Sequence, residues 1–329
     1  KWYLWCWAFR DLTCDRPSII IPDDHDVYQG NLWGRAGRPA YGTANQGGYT
    51  MPAPWVNMVE RTQTSNLPPP YDPRPVKQGI GTYFTDVDYG GVSFGVIEDR
   101  KFKDPPKSVT AEGTEVTVKS PQLLGERQLA FLREWTGDWS GGIWMKCLLS
   151  QTIFALVHTR STLPSPKYGG LLPVPPGEYP PDAFTRDADA NAFPKEGRDK
   201  AVRELRKGFA FHIAGDQHLG SVTHYGLDDF DDAGMAFCVP SVANFFPRRW
   251  YPPEPGVGRK KDAPRYTGGY TDAYGNRMTV YAVSNPIESG HEPKILYDRA
   301  PGYGIVVFNR ANRTIRIECW PRWVNQIGR

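Results

Sequence analysis

Runs of four to eight apolar residues, rich in β-branched and aromatic side chains, recur along this chain at 18–21, 91–97, 144–150, 209–214, 235–242, 278–283, 305–309 and 315–320. Each has the length of a strand and is closed by turn or charged residues, as buried strands require. The last two, joined by Arg310-Ala311-Asn312-Arg313, read as an antiparallel hairpin. Two stretches follow helical spacing instead. Residues 125–138 place Leu129, Leu132 and Trp135 on one face, and residues 197–207 turn Ala201, Val202 and Leu205 inward. In the second, charges are spaced for i,i+4 pairs at Glu196/Lys200, Asp199/Arg203 and Lys200/Glu204, the pattern of a solvated face. Strands alternating with helices early, then strands and a hairpin late, predict an α/β protein with mixed sheets.

Between these elements lie long Gly-, Pro- and Tyr-rich segments at 30–89, 159–194 and 247–276. With 34 Gly and 31 Pro, the chain stays below the composition of disordered sequence, so these are expected to be ordered loops at functional rims. A length of 329 residues fits two domains or one large one. No repeat or low-complexity linker forces a boundary. A net charge of +3 over that length does not point to nucleic acid or an anionic membrane. The five cysteines are scattered without a CxxC pair, and Cys147 and Cys238 lie inside apolar runs, so neither a disulfide framework nor a zinc knuckle is expected. The longest continuous apolar run, 2–9, is too short to span a membrane.

Chemistry-bearing residues concentrate where the apolar runs stop. Asp23-Asp24-His25-Asp26 follows Ile19-Ile20-Ile21-Pro22, so a strand is expected to deliver three carboxylates and an imidazole to its C-terminal end. Ligands of open α/β sheets bind just outside such ends, and clustered carboxylates repel unless a cation or an arginine neutralises them. An Asp-rich helix cap explains the same run without a ligand. Gly215-Asp216-Gln217-His218-Leu219-Gly220 closes the run 209–214. In an extended chain Asp216 and His218 point to one side and can grip one ion. Carboxylate with imidazole suits Fe, Mn or Zn, with Ca or Mg at a neighbouring oxygen-rich position. Glu98-Asp99-Arg100-Lys101 closes another run and is suited to holding a phosphate or orienting ligands, or is simply a salt-bridge cluster. Ser150-Gln151-Thr152 closes a fourth. His158 is a further candidate, His212 reads as a structural core residue, and His224 and His291 as loop residues. The chain has no GxSxG elbow, Walker loop, GxGxxG after a strand, or HExxH.

The segment 16–26, with its Asp-Asp-His-Asp, resembles the Asp-Asp-His-Asp/Glu segment of PhoD-like alkaline phosphatases (alkaline phosphatase D), which are metallophosphoesterases. Leu124-Gly125-Glu126-Arg127-Gln128 through Trp135 resembles that family's LGxxQxxWL helix, and Gly215-Asp216-Gln217-His218 its Gly-Asp-x-His motif. The stretch 209–244 is similar to uncharacterised bacterial, planctomycete-type members. The resemblance implies a four-layer α/β/β/α metallophosphoesterase sandwich with mixed sheets, and two metal ions, Fe or Mn/Zn with Ca or Mg, at the strand ends. It implies Asp24, Asp216 and His218 as metal ligands, His25 as the group that protonates the leaving group or binds phosphate, and Asp26 as its orienter. Arg100 is implied near the substrate phosphate, with Asp23, Asn31, Asp99, Gln151 and His158 as further site candidates.

The same resemblance places the family's earliest motif, with its bridging aspartate, upstream of Lys1. Residues 1–329 are therefore expected to be one catalytic domain lacking that segment. Asn66-Leu67-Pro68-Pro69 stands where close relatives carry His-Leu-Pro-Asp. The implied activity is hydrolysis of small phosphate monoesters or diesters, with a hydroxide held by the metals as nucleophile, in an exported protein. Two other classes fit the same residues: a non-catalytic relic that binds phosphorylated ligands, and a glycan-acting protein that stacks sugars on its aromatic loops.

Overall fold

The computed structural model describes residues 2–27, 51–110, 112–160, 182–242, 248–285 and 301–321. Its strands are β1 (Thr85–Tyr89), β2 (Val92–Val96), β3 (Lys107–Val109), β4 (Glu115–Thr117), β5 (Met145–Thr152), β6 (Thr159–Arg160) and β7 (Ala183–Phe184). They continue with β8 (Phe211–Gly215), β9 (Ser221–Tyr225), β10 (Met235–Cys238), β11 (Gly268–Thr271), β12 (Arg277–Val283), β13 (Gly302–Asn309) and β14 (Thr314–Pro321). The helices are α1 (Trp2–Ala8), α2 (Arg10–Thr13), α3 (Asp24–Val27), α4 (Ala53–Thr64), α5 (Gly125–Gly137) and α6 (Lys195–Lys207).

Eight strands form one mixed sheet in the order β1-β2-β5-β8-β10-β9-β12-β11. Its centre, β2-β5-β8-β10, is parallel, and β1 and the β9, β12, β11 flank are antiparallel. Alternation along these strands sends side chains to two faces. On one face Leu148, Ala214, Ala236, Met278 and Val280 pack with Leu129, Leu132 and Trp135 of α5 and Ala201, Val202 and Leu205 of α6. On the other, Val92, Cys147, Phe211 and Phe237 pack with Val306, Phe308, Ile317 and Cys319 of the β13-β14 hairpin. A helical layer, the large sheet and the hairpin are thus stacked, with both sheet faces buried as a parallel centre demands. Burying each Leu or Phe of these layers contributes roughly 1.5–3 kcal/mol.

Both predicted helices form, with their predicted inward faces buried. Of the predicted pairs on α6, Glu196/Lys200 forms at 3.1 Å, while Asp199 turns to Lys195 and Arg198 and Glu204 turns to Lys207 and Arg133. Gly95 in β2 is required by this packing, because a Cβ there would stand 2.8 Å from Trp135 of α5.

Three expectations change. Residues 17–23 form no strand. Pro17 and Pro22 supply no amide donor, and β1 already occupies the free edge of β2, so the segment is tied by side chains instead, with Asn66 Nδ2 donating to the Ser18 carbonyl and Gln151 Nε2 to that of Pro22. His224 lies in β9 rather than a loop, and its Nε2 donates to the Ala233 carbonyl at 2.8 Å. The segment 30–89, expected as a loop, contains β1 and α4, the latter burying Val56, Val59 and Gln63 at i, i+3 and i+7. His291 and Asn31 lie outside the described residues. All five cysteines are free, with Cys147 and Cys238 buried, and among the described residues no helix is long and apolar enough to cross a membrane.

Candidate metal centre

Parallel strands β2, β5 and β8 end side by side, and the residues that follow them face the 22–26 segment. Asp23 opens α3 as its cap. Its Oδ1 accepts the Asp24 amide at 2.9 Å, and Asp26 Oδ2 accepts the Asp23 amide at 3.0 Å. The second of these bonds is the return half of a capping box, with an acid three residues into the helix satisfying the amide of the cap residue. Asp26 is exposed and bound to backbone, and His25 is half exposed, with Nε2 3.8 Å from Asp24 Oδ2.

Asp24 is the anomaly of the molecule. It is fully buried, yet neither carboxylate oxygen accepts a hydrogen bond. Burial pushes its carboxyl up to about 10, and the Arg100 guanidinium only partly offsets that. An unpaired buried charge costs several kcal/mol, so such a group needs either a proton or a cation. The chain supplies company for a cation. Asp23, Asp24 and Asp216 each offer an oxygen within 4.8 Å of the others.

Asp216 reaches this point through a tight turn rather than the extended geometry expected. The Gln217 amide donates to the Gly215 carbonyl at 2.7 Å, and Asp216 and His218 sit at φ 61° and 58°. Left-handed backbone at two non-glycine residues costs on the order of 1 kcal/mol each and gathers at functional corners. His218 stands beside Asp216 but is not one of the three residues whose ligand atoms converge. Burial pulls its imidazole down to about 4 against the field of Asp216, so it is neutral near pH 7. Asp216 itself is pulled the other way. Burial would raise it, but Arg100 and Arg248 hold it at about 2.

Arg100 is the hub. It is 1% exposed, and its Nε donates to Gln151 Oε1 at 2.8 Å. Nη1 donates to the carbonyl and the carboxylate of Asp189, and Nη2 reaches Asp23 Oδ1 at 3.2 Å and Asp216 Oδ2 at 3.1 Å. Gln151 thus links Arg100 to Pro22 and to the Tyr83 hydroxyl, 3.1 Å away. Asp99 serves the scaffold, with Oδ2 accepting from the Thr152 amide at 3.2 Å and from Asn191 Nδ2 at 2.5 Å. His158 is buried, and its Nδ1 accepts from Arg248 Nη1 at 3.2 Å; burial and the surrounding arginines hold it neutral. Arg248 also pairs with Asp187 at 2.7 Å.

The structure therefore brings Asp23, Asp24, Asp216, Arg100 and Gln151 together, sets His25 and His218 beside them, and leaves Asp99, Asp26 and His158 bonded to neighbouring groups. Sequence reasoning missed Asp189, Asn191 and Arg248. The one trace of the first two is the alternation Asp187-Ala188-Asp189-Ala190-Asn191, three polar residues between small ones.

No family model matches the sequence, and no curated protein does. Among solved structures the chain is similar to a structure of PhoD, with a TM-score of 0.43 and 15% identity over 68% of this chain. The match spans 40% of that PhoD chain.

Proposed function

We propose that this chain is a metal-dependent phosphoesterase that hydrolyses phosphate monoesters or diesters. One observation carries the reading: a fully buried carboxylate, Asp24, whose two oxygens accept no hydrogen bond and lie within reach of two further carboxylates. Asp23, Asp24 and Asp216 would hold the ion, with His25 and His218 available at its side. Carboxylates with imidazole suit Mn, Fe or Zn. Such an ion supplies Lewis-acid stabilisation of phosphoryl oxygens and a water acidic enough to serve as nucleophile at neutral pH. The motif resemblance of 16–26 and 215–218 gives the phosphoester its place in the reading.

The chain's own groups divide the remaining work. His25 is the half-exposed imidazole of the corner and is assigned to protonate the leaving alkoxide. Arg100 fixes the carboxylates of Asp23, Asp189 and Asp216, because its donors are spent on them rather than on a substrate phosphate. His218, held neutral, can accept a proton or donate a lone pair. By the same reading the β13-β14 hairpin belongs to the second sheet of a four-layer sandwich, and 1–329 to one catalytic domain of an exported protein.

The test is hydrolysis of p-nitrophenyl phosphate and bis-p-nitrophenyl phosphate by the metal-loaded protein, before and after chelation. Turnover that disappears with chelator and returns with Mn²⁺ or Zn²⁺ is expected. Turnover indifferent to chelator would refute the reading.

A further inference from the structure

Resemblance implies two metal ions at this corner, but among the described residues the side chains leave ligands for one. A dinuclear phosphoesterase centre sets its ions about 3.5–4 Å apart with shared carboxylates between them. Here the place next to the Asp23–Asp24–Asp216 trio is filled. The Arg100 guanidinium takes one oxygen of Asp23 at 3.2 Å and one of Asp216 at 3.1 Å, and it also pairs with Asp189. It has no room to swing away, being 1% exposed and anchored through Nε to Gln151.

Among the described residues, the neighbouring carboxylates that could serve a second ion are already committed. Asp99 accepts from the Thr152 amide and from Asn191 Nδ2. Asp187 pairs with Arg248. Among the acids of this corner, Asp24 alone has both oxygens without a hydrogen bond. Arginine suits the post because its planar fork engages several carboxylates at once and its charge cannot be titrated away.

We propose that the centre is mononuclear, with Arg100 as a built-in cation standing where a second ion would sit. This rests on the metal reading above and deepens it. Asp23 and Asp216 then bridge between a guanidinium and one metal, and Arg100 is a positioning residue that never touches substrate. Removing the guanidinium takes away its charge and opens one lone pair on each oxygen it holds, on Asp189, on Asp23 Oδ1, which keeps the Asp24 amide, and on Asp216 Oδ2, which keeps Gln217 Nε2, and so makes room there for a second ion.

The experiment is equilibrium dialysis of the chelator-stripped full chain against Mn²⁺ and, separately, Zn²⁺, with bound metal counted by atomic emission. About one ion per chain is expected for the wild type, rising to about two in Arg100→Ala. Two ions in the wild type would overturn the proposal while leaving the metal reading standing. One ion in both proteins would overturn the assignment of Arg100 to the second position. No bound ion in the wild type would overturn the metal reading and the proposal together. The wild-type count decides between one ion and two even if Arg100→Ala does not fold, and Arg100→Gln, which keeps a polar side chain in place without the charge, then serves for the second count, with one ion again overturning the assignment of Arg100.

Discussion

Asp24 and His212 are two buried titratable residues solved in opposite ways. His212 lies in β8 with complete hydrogen bonding. The Tyr225 hydroxyl accepts from the Phe154 amide at 3.0 Å and sits 2.8 Å from His212 Nδ1, while Nε2 lies 2.7 Å from Ser150 Oγ, which donates to the Thr152 carbonyl at 2.8 Å. The chain of donors leaves one consistent tautomer, neutral with the proton on Nε2. Burial holds this imidazole down at about 3, below its ordinary 6.5. The unfolded chain then binds the proton more readily, so this residue's contribution is complete above pH 6.5 and is lost as pH falls toward 3. His212→Ala should cost roughly 2–4 kcal/mol in urea unfolding at pH 7, because Tyr225 and Ser150 lose partners, and it should flatten the acid limb of the stability profile. Asp24 runs the other way. Its carboxyl is raised from 3.8 to about 10 by burial, so without metal the folded state holds a proton that the unfolded state releases. Metal-free wild type should lose stability as pH rises above 4, and Asp24→Asn should remove that slope and melt several degrees higher without metal. The same variant should forfeit any stabilisation by added Mn²⁺, which differential scanning fluorimetry with and without metal reads directly.

The elements follow hydrophobic period wherever a face is buried. Seven of the eight predicted apolar runs became strands, because Val92, Cys147, Leu148, Phe211 and Phe237 meet a layer on each side of the sheet. The eighth, 18–21, has the composition of a strand but does not join the sheet, and the place beside β2 is taken by β1. That pairing is set by β1, sixty residues or so further along, and local pattern does not contain it. Strand β1 itself, Thr85-Asp86-Val87-Asp88-Tyr89, carries polar side chains and is a strand because Val92–Val96 folds back on it. Helix α4 was hidden in a Pro-rich segment where only two apolar residues, Val56 and Val59, are buried, too few to make a stripe that stands out. Gly95 tests the contact between the sheet and α5. Gly95→Ala places a methyl group against the Trp135 ring and should destabilise the protein by about 1–3 kcal/mol, with a shift in tryptophan emission; an unchanged urea midpoint would show that the layer is looser than described.

At the scale of the whole molecule, the site exists because three parallel strands end together. Glu98-Asp99-Arg100 follows β2, Gln151 and Thr152 end β5, and Asp216 follows β8. Each of these corners was legible as an apolar run followed by charged or polar residues, and so was the Asp23–Asp26 segment that faces them. Their division of labour was not legible. Arg100 reads in sequence as a phosphate clamp, yet three carboxylates from distant parts of the chain converge on it, and its burial is a property of the assembled fold. Asp189 and Arg248 come from outside the strands and helices, and beyond the short alternation at 187–191 nothing in the sequence marks them. The central claim is that the carboxylate corner holds a metal used for phosphoester hydrolysis, and the rate of bis-p-nitrophenyl phosphate and p-nitrophenyl phosphate cleavage in paired Mn²⁺-loaded wild-type and Asp24→Asn proteins, both checked for native folding, tests it most directly. A loss of at least about a hundredfold in Asp24→Asn, with chelated wild type falling to the same level, is the predicted result; an Asp24→Asn protein that turns over both esters as fast as the wild type would contradict the account.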